Sequence, residues 1–240
     1  MIDTNNNFTR MQQSVYDQLA VMDSDRNRNG NPLQEYDRYY EERMWRYIPD
    51  LNSKAVLDFG CGPGRNLIYY TGKVKSIDGV DISVGNLVTA RQWLQNNNFN
   101  VDSYKLYKND GISLNGIPDQ VYDVVMSTIV LQHISVYKIR YNLLSEFYRV
   151  LKPNGYVTLQ FLYSTDKSNT VGYFDNPWDV QGTNGANDCV VGDASHVVKD
   201  LESLGFGNIQ YFVDQAYTTG GVPPRSTDDK EWLFVTGQKV

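Results

Sequence analysis

Gly60, Gly62 and Gly64 stand at alternate positions directly after Val56-Leu57-Asp58-Phe59, and Arg65-Asn66 follow at once. Apolar residues around one carboxylate read as a short buried strand, and Arg65 to Tyr70 reads as the start of a helix. Between strand and helix the backbone is bare. Without a Cβ, glycine leaves positive φ free and lets a ligand lie against the main chain. Asp81 closes a second apolar stretch, Ile77-Asp78-Gly79-Val80-Asp81, about twenty residues on. A carboxylate there can accept two hydrogen bonds from a ribose diol, and charge-assisted bonds of that kind are strong. It can equally stabilise the N-terminus of a helix capped by Ser83. Glycine turn, helix and acid at this spacing favour a nucleoside-containing ligand at the carboxyl end of a parallel sheet.

Other groups fall at similar places. Asp58 sits inside the first strand, so it is expected to be buried and to need partners, from the backbone of the turn or from a ligand ammonium. Ile82 offers an apolar face to a purine. In Asn109-Asp110-Gly111, Asp110 can accept from a purine amino group and the Gly111 N–H can reach a ring nitrogen, or the three residues can form a plain turn. Past the fourth strand comes Leu131-Gln132-His133-Ile134. His133 is placed to accept a proton from a reacting group, or to hydrogen-bond its own loop. Ser127, Thr128 and Gln132 are candidates to line an acceptor pocket, whereas His196 falls in a late helix and reads as structural.

These groups need a frame that brings strand ends together. Phe8, Met11, Val15, Leu19 and Met22 recur at helical spacing, which predicts an amphipathic helix from Phe8 to Val21. Leu33 to Ile48 reads as a second helix rich in aromatics, stopping ahead of Pro49. Those aromatics either pack on the main domain or, at Tyr16 and Tyr36 to Tyr40, roof a ligand. From Lys54 strand and helix alternate, which calls for an α/β domain with a parallel sheet and right-handed crossovers. The strands are expected at Ala55–Phe59, Lys75–Val80, Ser103–Tyr107, Val121–Ser127 and Tyr156–Leu162, with Lys152-Pro153-Asn154-Gly155 as the turn before the last. Residues 1–50 then form a helical cap on a domain at 51–240. Residues 164–192 break the rhythm with Gly, Asn, Asp and Ser around Tyr173, Phe174 and Trp178, and a stretch of that kind reads as a lid insertion. A helix at Ala194–Leu204 and strands at Ile209–Ala216 and Glu231–Thr236 follow, the last two antiparallel because no helix separates them.

Val56 to Gly64 and Gly79 to Ser83 resemble the first two motifs of the class I S-adenosylmethionine-dependent methyltransferases, in particular the small-molecule, type 11/12-like branch. Asn109-Asp110-Gly111, Tyr122 to Ser127, Leu131 to Ile134 and Arg149 to Tyr156 agree, with Asn154 where that family more often has Gly. The likeness runs from about Lys54 to Leu162, resumes loosely from Asp193 to Val240, and does not reach residues 1–50 or 164–192. It implies a Rossmann-like, seven-stranded, mostly parallel sheet with an antiparallel last strand. It implies S-adenosyl-L-methionine as cofactor and S-adenosyl-L-homocysteine as product. The cofactor residues it implies are Asp58, Gly60, Cys61, Gly62, Gly64 and Asn66 at the first turn. Asp81, Ile82, Asn109, Asp110, Gly111, Ser127 and Leu131 belong to the same set. For the acceptor the candidates are Tyr36, Tyr40, Gln132, Tyr163, Tyr173 and Trp178, with His133 as catalytic base. The turn departs from the G-x-G-x-x-G of pyrophosphate sites and Pro63 removes a donor, so a sulfonium nucleoside fits better than a nicotinamide cofactor. Related enzymes that methylate exocyclic or amide nitrogens often carry an Asp/Asn-Pro-Pro-aromatic run after the fourth strand. Here that site reads Ser127-Thr128-Ile129-Val130, which disfavours such acceptors.

Composition narrows the partners. A net charge of −6 argues against a nucleic-acid backbone as partner. Two cysteines and two histidines make neither a disulfide framework nor a zinc or His-rich metal site. No apolar run approaches the roughly 20 residues of a membrane span, and no secretory signal precedes the first helix. The expectation is a cytoplasmic monomer or homodimer acting on a small molecule, without metal, membrane or nucleic acid. A nicotinamide-dependent oxidoreductase and a cofactor-binding accessory protein without turnover stay open as alternatives.

Overall fold

A computed structural model describes residues 7–22, 34–164, 171–175, 188–215 and 231–240. In chain order the elements begin with helices α1 (Asn7–Met22) and α2 (Gln34–Met44). Then come β1 (Ala55–Phe59), α3 (Arg65–Tyr70), β2 (Ser76–Asp81), α4 (Val84–Asn96), β3 (Leu106–Lys108) and β4 (Tyr122–Ser127). They continue with α5 (Tyr137–Val150), β5 (Leu151–Tyr163), the short β6 (Val171–Gly172) and β7 (Cys189–Val190), α6 (Ala194–Ser203), β8 (Phe206–Gln215) and β9 (Glu231–Lys239).

Seven strands form one sheet in the order β3-β2-β1-β4-β5-β9-β8. The pairs from β3 through to β5 are parallel, and β9 runs antiparallel to both β5 and β8. The implied mostly parallel sheet with its one reversed strand is what the chain adopts. Because the chain winds outward from β1 to β3 and then crosses back to β4, the winding reverses between β1 and β4. A crevice opens there beyond the carboxyl ends.

Successive residues of a strand face opposite sides, and both sides of β1 are covered. Leu57 and Phe59 join Val125 with Ile139, Leu143 and Phe147 of α5 in one core. Val56 joins Met126, Leu67, Tyr70, Leu94 and α2 in the other. The described aromatics at α2 therefore pack rather than roof: Tyr40 is buried, as are Met44 and, just past the helix end, Trp45, whose ring meets Tyr70 edge-on at 5.6 Å. Ion pairs from Glu41 to Lys73 (2.9 Å) and from Arg43 to Asp214 (2.6 Å) fix this helix at its polar edge. The other N-terminal helix, α1, lies against α4 at the carboxyl ends of the strands. Its Asp17 accepts a 2.6 Å bond from Ser83 Oγ, and a side chain at Gly85 would come within 3.0 Å of Ala20.

Boundaries move in three places. The helix α2 ends at Met44 rather than Ile48. A 3-10 turn at Val101–Ser103 takes the first part of the expected third strand. The segment Lys152-Pro153-Asn154-Gly155 is absorbed into β5 as an irregularity opposite Tyr122 and Val124. Asn154 has φ 63°, and Gly155 approaches Lys152 O so closely that a Cβ would stand 2.9 Å from it.

Candidate active site

The turn after β1 shows why each glycine stands where it does. Gly60, Gly62 and Gly64 have φ of 72°, 53° and 90°, the left-handed region that other residues enter only at a cost. A Cβ on Gly60 would lie 2.3 Å from the Val130 side chain, and one on Gly64 3.0 Å from Ala90, so both are fixed by packing. A Cβ on Gly62 would meet nothing within 4 Å, because this residue faces open space. The Gly60 and Cys61 amides donate to Val80 O, which ties the turn to the end of β2.

That open space is a cavity of about 320 Å³. The turn from Gly60 to Pro63 forms its floor, Val80 to Ile82 with Asn109 and Gly111 one wall, and Thr128 to Val130 with His133 the other. Phe8, Thr9, Gln12 and Tyr16 of α1 close it from above. Asp81 faces it and is held by three bonds: Oδ2 accepts from Gly62 N at 2.8 Å, and Oδ1 from Ser83 N at 2.8 Å and Asn86 Nδ2 at 3.3 Å. Burial pushes its carboxyl above the usual range, against the pull of those three bonds. Asp81 thus holds the helix start, as the second reading had it, and also lines the cavity.

Asp58 is buried as expected, but the donors of the glycine turn do not reach it. Oδ1 accepts from Asn66 Nδ2 at 3.2 Å, and Oδ2 is buried without a partner. Burial pushes this carboxyl up to about 7. Asn66 Nδ2 also reaches Thr128 Oγ1 at 3.2 Å and so links the turn to the far wall.

Gly60, Cys61, Gly62, Asn66, Asp81, Ile82, Asn109, Gly111 and His133 all line the cavity. Several other expected residues do not. Asp110 is exposed, and its carboxylate takes the Ile112 and Ser113 amides at 2.9 and 2.7 Å, which is the plain-turn reading. Beside it Asn109 is buried with Oδ1 unpartnered. Gly64 is packed beneath the turn. Ser127 donates to Phe59 O at 3.1 Å, and Leu131 is in the core.

The acceptor candidates scatter more widely. Tyr40 is 2 % exposed and accepts from Gln160 Nε2, one layer behind the site. Tyr173 is buried and donates to Asp200 at 2.7 Å, and Tyr163 bridges to Val191. Gln132 is buried beside His133, with its Nε2 3.5 Å from the imidazole Nε2. Trp178 and the Tyr36 side chain lie outside the described residues.

Three features escape sequence reasoning. Ile129 lines the cavity at φ 57°, a strained conformation for a β-branched residue, with its amide held by Gln160 Oε1 at 2.9 Å. Among the described residues the roof comes from α1, with Phe8, Thr9 and Gln12 beside the expected Tyr16. Asp188, from the stretch without periodicity, pairs Oδ1 with His133 Nδ1 at 2.8 Å. The Tyr16 ring lies 6.2 Å from the imidazole, and its phenol is kept protonated by burial and by the nearby Asp188 and Asp81.

A family model described as a methyltransferase domain matches residues 57–159, the run from β1 into β5. That stretch is a methyltransferase domain. The sheet expected of the class I S-adenosylmethionine-dependent type is found, and the match agrees with that resemblance. The malonyl-[acyl-carrier protein] O-methyltransferase of Yersinia pestis is 32% identical over 135 residues, 56% of this chain and 45% of that protein. The S-adenosyl-L-methionine-dependent Diels-Alderase iccD of Talaromyces variabilis is 30% identical over 125 residues, 52% of this chain and 41% of that protein. The chain thus spans about half the length of the curated relatives it matches. Among solved structures, the [4+2]-cyclase SpnF superposes with a TM-score of 0.63 at 16% identity, covering 85% of this chain and 80% of its own. No described helix is long and apolar enough to cross a membrane, and the described residues hold no group of three or more His, Cys, Asp or Glu suited to a metal.

Proposed function

We propose that this protein transfers a methyl group from S-adenosyl-L-methionine to a small-molecule acceptor. One observation carries the reading: the bare backbone of Gly62 faces a cavity closed by α1 and bordered by Asp81, while in the strand just before that turn a buried carboxylate oxygen, Asp58 Oδ2, has no partner among the described residues. An uncompensated buried acceptor is costly, and the cofactor's ammonium supplies the charge it needs. The donor set fits the rest of the ligand. Asp81 has lone-pair capacity left for the ribose diol, Ile82 gives the purine an apolar face, and Gly111 N serves a ring nitrogen. Asn109 Oδ1, buried and unpaired, replaces Asp110 as the acceptor for the purine amino group.

The bound cofactor supplies an activated methyl group and a neutral thioether leaving group. The chain then has three tasks. It must place the acceptor in line, exclude water and take up a proton where the acceptor carries one. Phe8, Thr9, Gln12 and Tyr16 exclude water from above. Thr128, Ile129 and His133 border the space beyond the glycine turn, and the strained Ile129 fixes the shape of that wall. Enclosure and net charge both favour a small acceptor over a nucleic acid, and two buried free thiols, Cys61 and Cys189, suit a cytoplasmic setting.

Incubation with methyl-labelled S-adenosyl-L-methionine and a panel of hydroxyl, amine and carboxyl acceptors tests the reading. Label is expected in a small product, with S-adenosyl-L-homocysteine formed in equal amount. The similarity to a protein named as an S-adenosyl-L-methionine-dependent Diels-Alderase favours a second reading, in which the cofactor is held while another reaction occurs beside it. Tight binding with every label retained on the cofactor would choose that reading.

A further inference from the structure

We propose that Asp188 is a positioning residue for His133, fixing its imidazole as the Nδ1–H tautomer so that Nε2 is the proton-accepting atom. The inference rests on the methyl-transfer reading for its purpose, though not for its geometry. His133 ends the 3-10 turn Leu131–His133 that follows β4, and its Nδ1 lies 2.8 Å from Asp188 Oδ1. A carboxylate can only accept from a neutral ring at that distance, so the ring proton sits on Nδ1. A second contact agrees. Gln132 presents its amide nitrogen to Nε2 at 3.5 Å, and an amide nitrogen can only donate. That contact is long enough to yield to a better donor entering from the cavity. Tyr16, on α1, is the other titratable group facing the ring, and it stays a neutral phenol.

The carboxylate is itself held in place. The Asp188 carbonyl accepts from Val171 N at 3.2 Å, which opens the β6–β7 pairing. Three residues on, Val191 is tied to the end of β5 by its amide to Leu162 O at 2.9 Å and its carbonyl from Ser164 N at 3.2 Å. Asp188 therefore stands directly ahead of the short strand β7, whose far end is bonded to β5. Its backbone supports lie apart from its side chain.

This arrangement selects an acceptor class. When a hydroxyl or a protonated amine approaches, its O–H or N–H bond breaks, the electron pair stays on the acceptor atom, and the proton goes to Nε2. The imidazolium so formed is stabilised by Asp188. An acceptor already ionised in solution, such as a carboxylate, would gain nothing from the pair. The inferred substrate is a small molecule methylated at an oxygen or nitrogen that must first lose a proton.

The test is nitrogen-15 NMR of the imidazoles in the full chain without ligand, at a pH where the rings are neutral. Two histidines make the spectrum simple, and His133→Gln assigns the signals by their loss. The expected wild-type pattern is a protonated Nδ1 and a bare Nε2 for His133. In Asp188→Ala the Nδ1–H signal should be lost, with the ring shifting towards the mixed tautomers of free imidazole. A wild-type ring protonated at Nε2 overturns the inference, and so does an Asp188→Ala spectrum identical to wild type. Neither result touches cofactor binding, and failure of cofactor binding would leave the tautomer result standing.

Discussion

Replacing Asp58 by asparagine should change how stability depends on pH, by an amount the structure sets. Asp58 lies inside β1 at 1 % exposure with one oxygen unpaired, and burial raises its carboxyl from 3.8 to about 7. Between those values the folded chain keeps a proton that the unfolded chain has released. Stability from this group is therefore greatest below about pH 4, falls as pH rises towards about 7, and is level beyond. Each unit of separation is worth about 1.4 kcal/mol, so the penalty grows to roughly 4 kcal/mol. About 2 kcal/mol of it accrues between roughly pH 5.5 and pH 8. Asp58→Asn removes the titration while keeping the side chain's shape and the oxygen that faces Asn66. The new amide adds a constant offset, but the stability of the variant minus that of the wild type should still rise by about 2 kcal/mol across that range. Urea unfolding at several pH values, followed by the fluorescence of the four tryptophans, measures it. Two stability profiles that run parallel would refute the reasoning, because Asp58 would then be as well solvated folded as unfolded.

Two other substitutions follow from the same geometry. Asp81→Ala should weaken S-adenosyl-L-homocysteine binding by about 1.5–3 kcal/mol, as the loss of charged hydrogen bonds does. Unchanged affinity in calorimetry would remove Asp81 from the site. Arg140→Met should cost about 3–5 kcal/mol in thermal unfolding. Arg140 is 1 % exposed and donates to the carbonyls of Ile134 and Tyr173, which methionine would fill around but leave unpaired. A loss below about 1 kcal/mol would show that water replaces those bonds.

The legible part of the fold is the part with strong periodicity. Short apolar runs located β1, β2 and β4, and the absence of a helix between β8 and β9 forecast their antiparallel pairing. One side of the cavity was readable too, because a bare backbone turn and a terminal carboxylate are written in residue types at short spacing. What failed was anything set by distance in space. Nothing in the sequence around Asp110 says that its carboxylate will turn to Ser113 while Asn109, which lines the cavity, keeps a buried oxygen without a partner among the described residues. The aromatic density of α2 suggested a roof, but its rings pair with Tyr70 and Phe234 on the sheet face instead. The plainer helix α1 covers the site because Gly85 lets it approach α4. Asp188 sits in a stretch without periodicity, so its meeting with His133 depends on how that stretch returns to β5.

The most direct measurement is calorimetric titration of the protein with S-adenosyl-L-homocysteine and with a nicotinamide dinucleotide, repeated on Gly62→Val. Valine there meets no neighbour but projects into the cavity, and at φ 53° it adds about 1–3 kcal/mol of backbone strain. Saturable binding of the sulfur nucleoside alone, lost in a variant that still unfolds cooperatively, is the expected outcome. Preference for the dinucleotide, no binding of either, or equal affinity in the variant would contradict a site built on that bare turn.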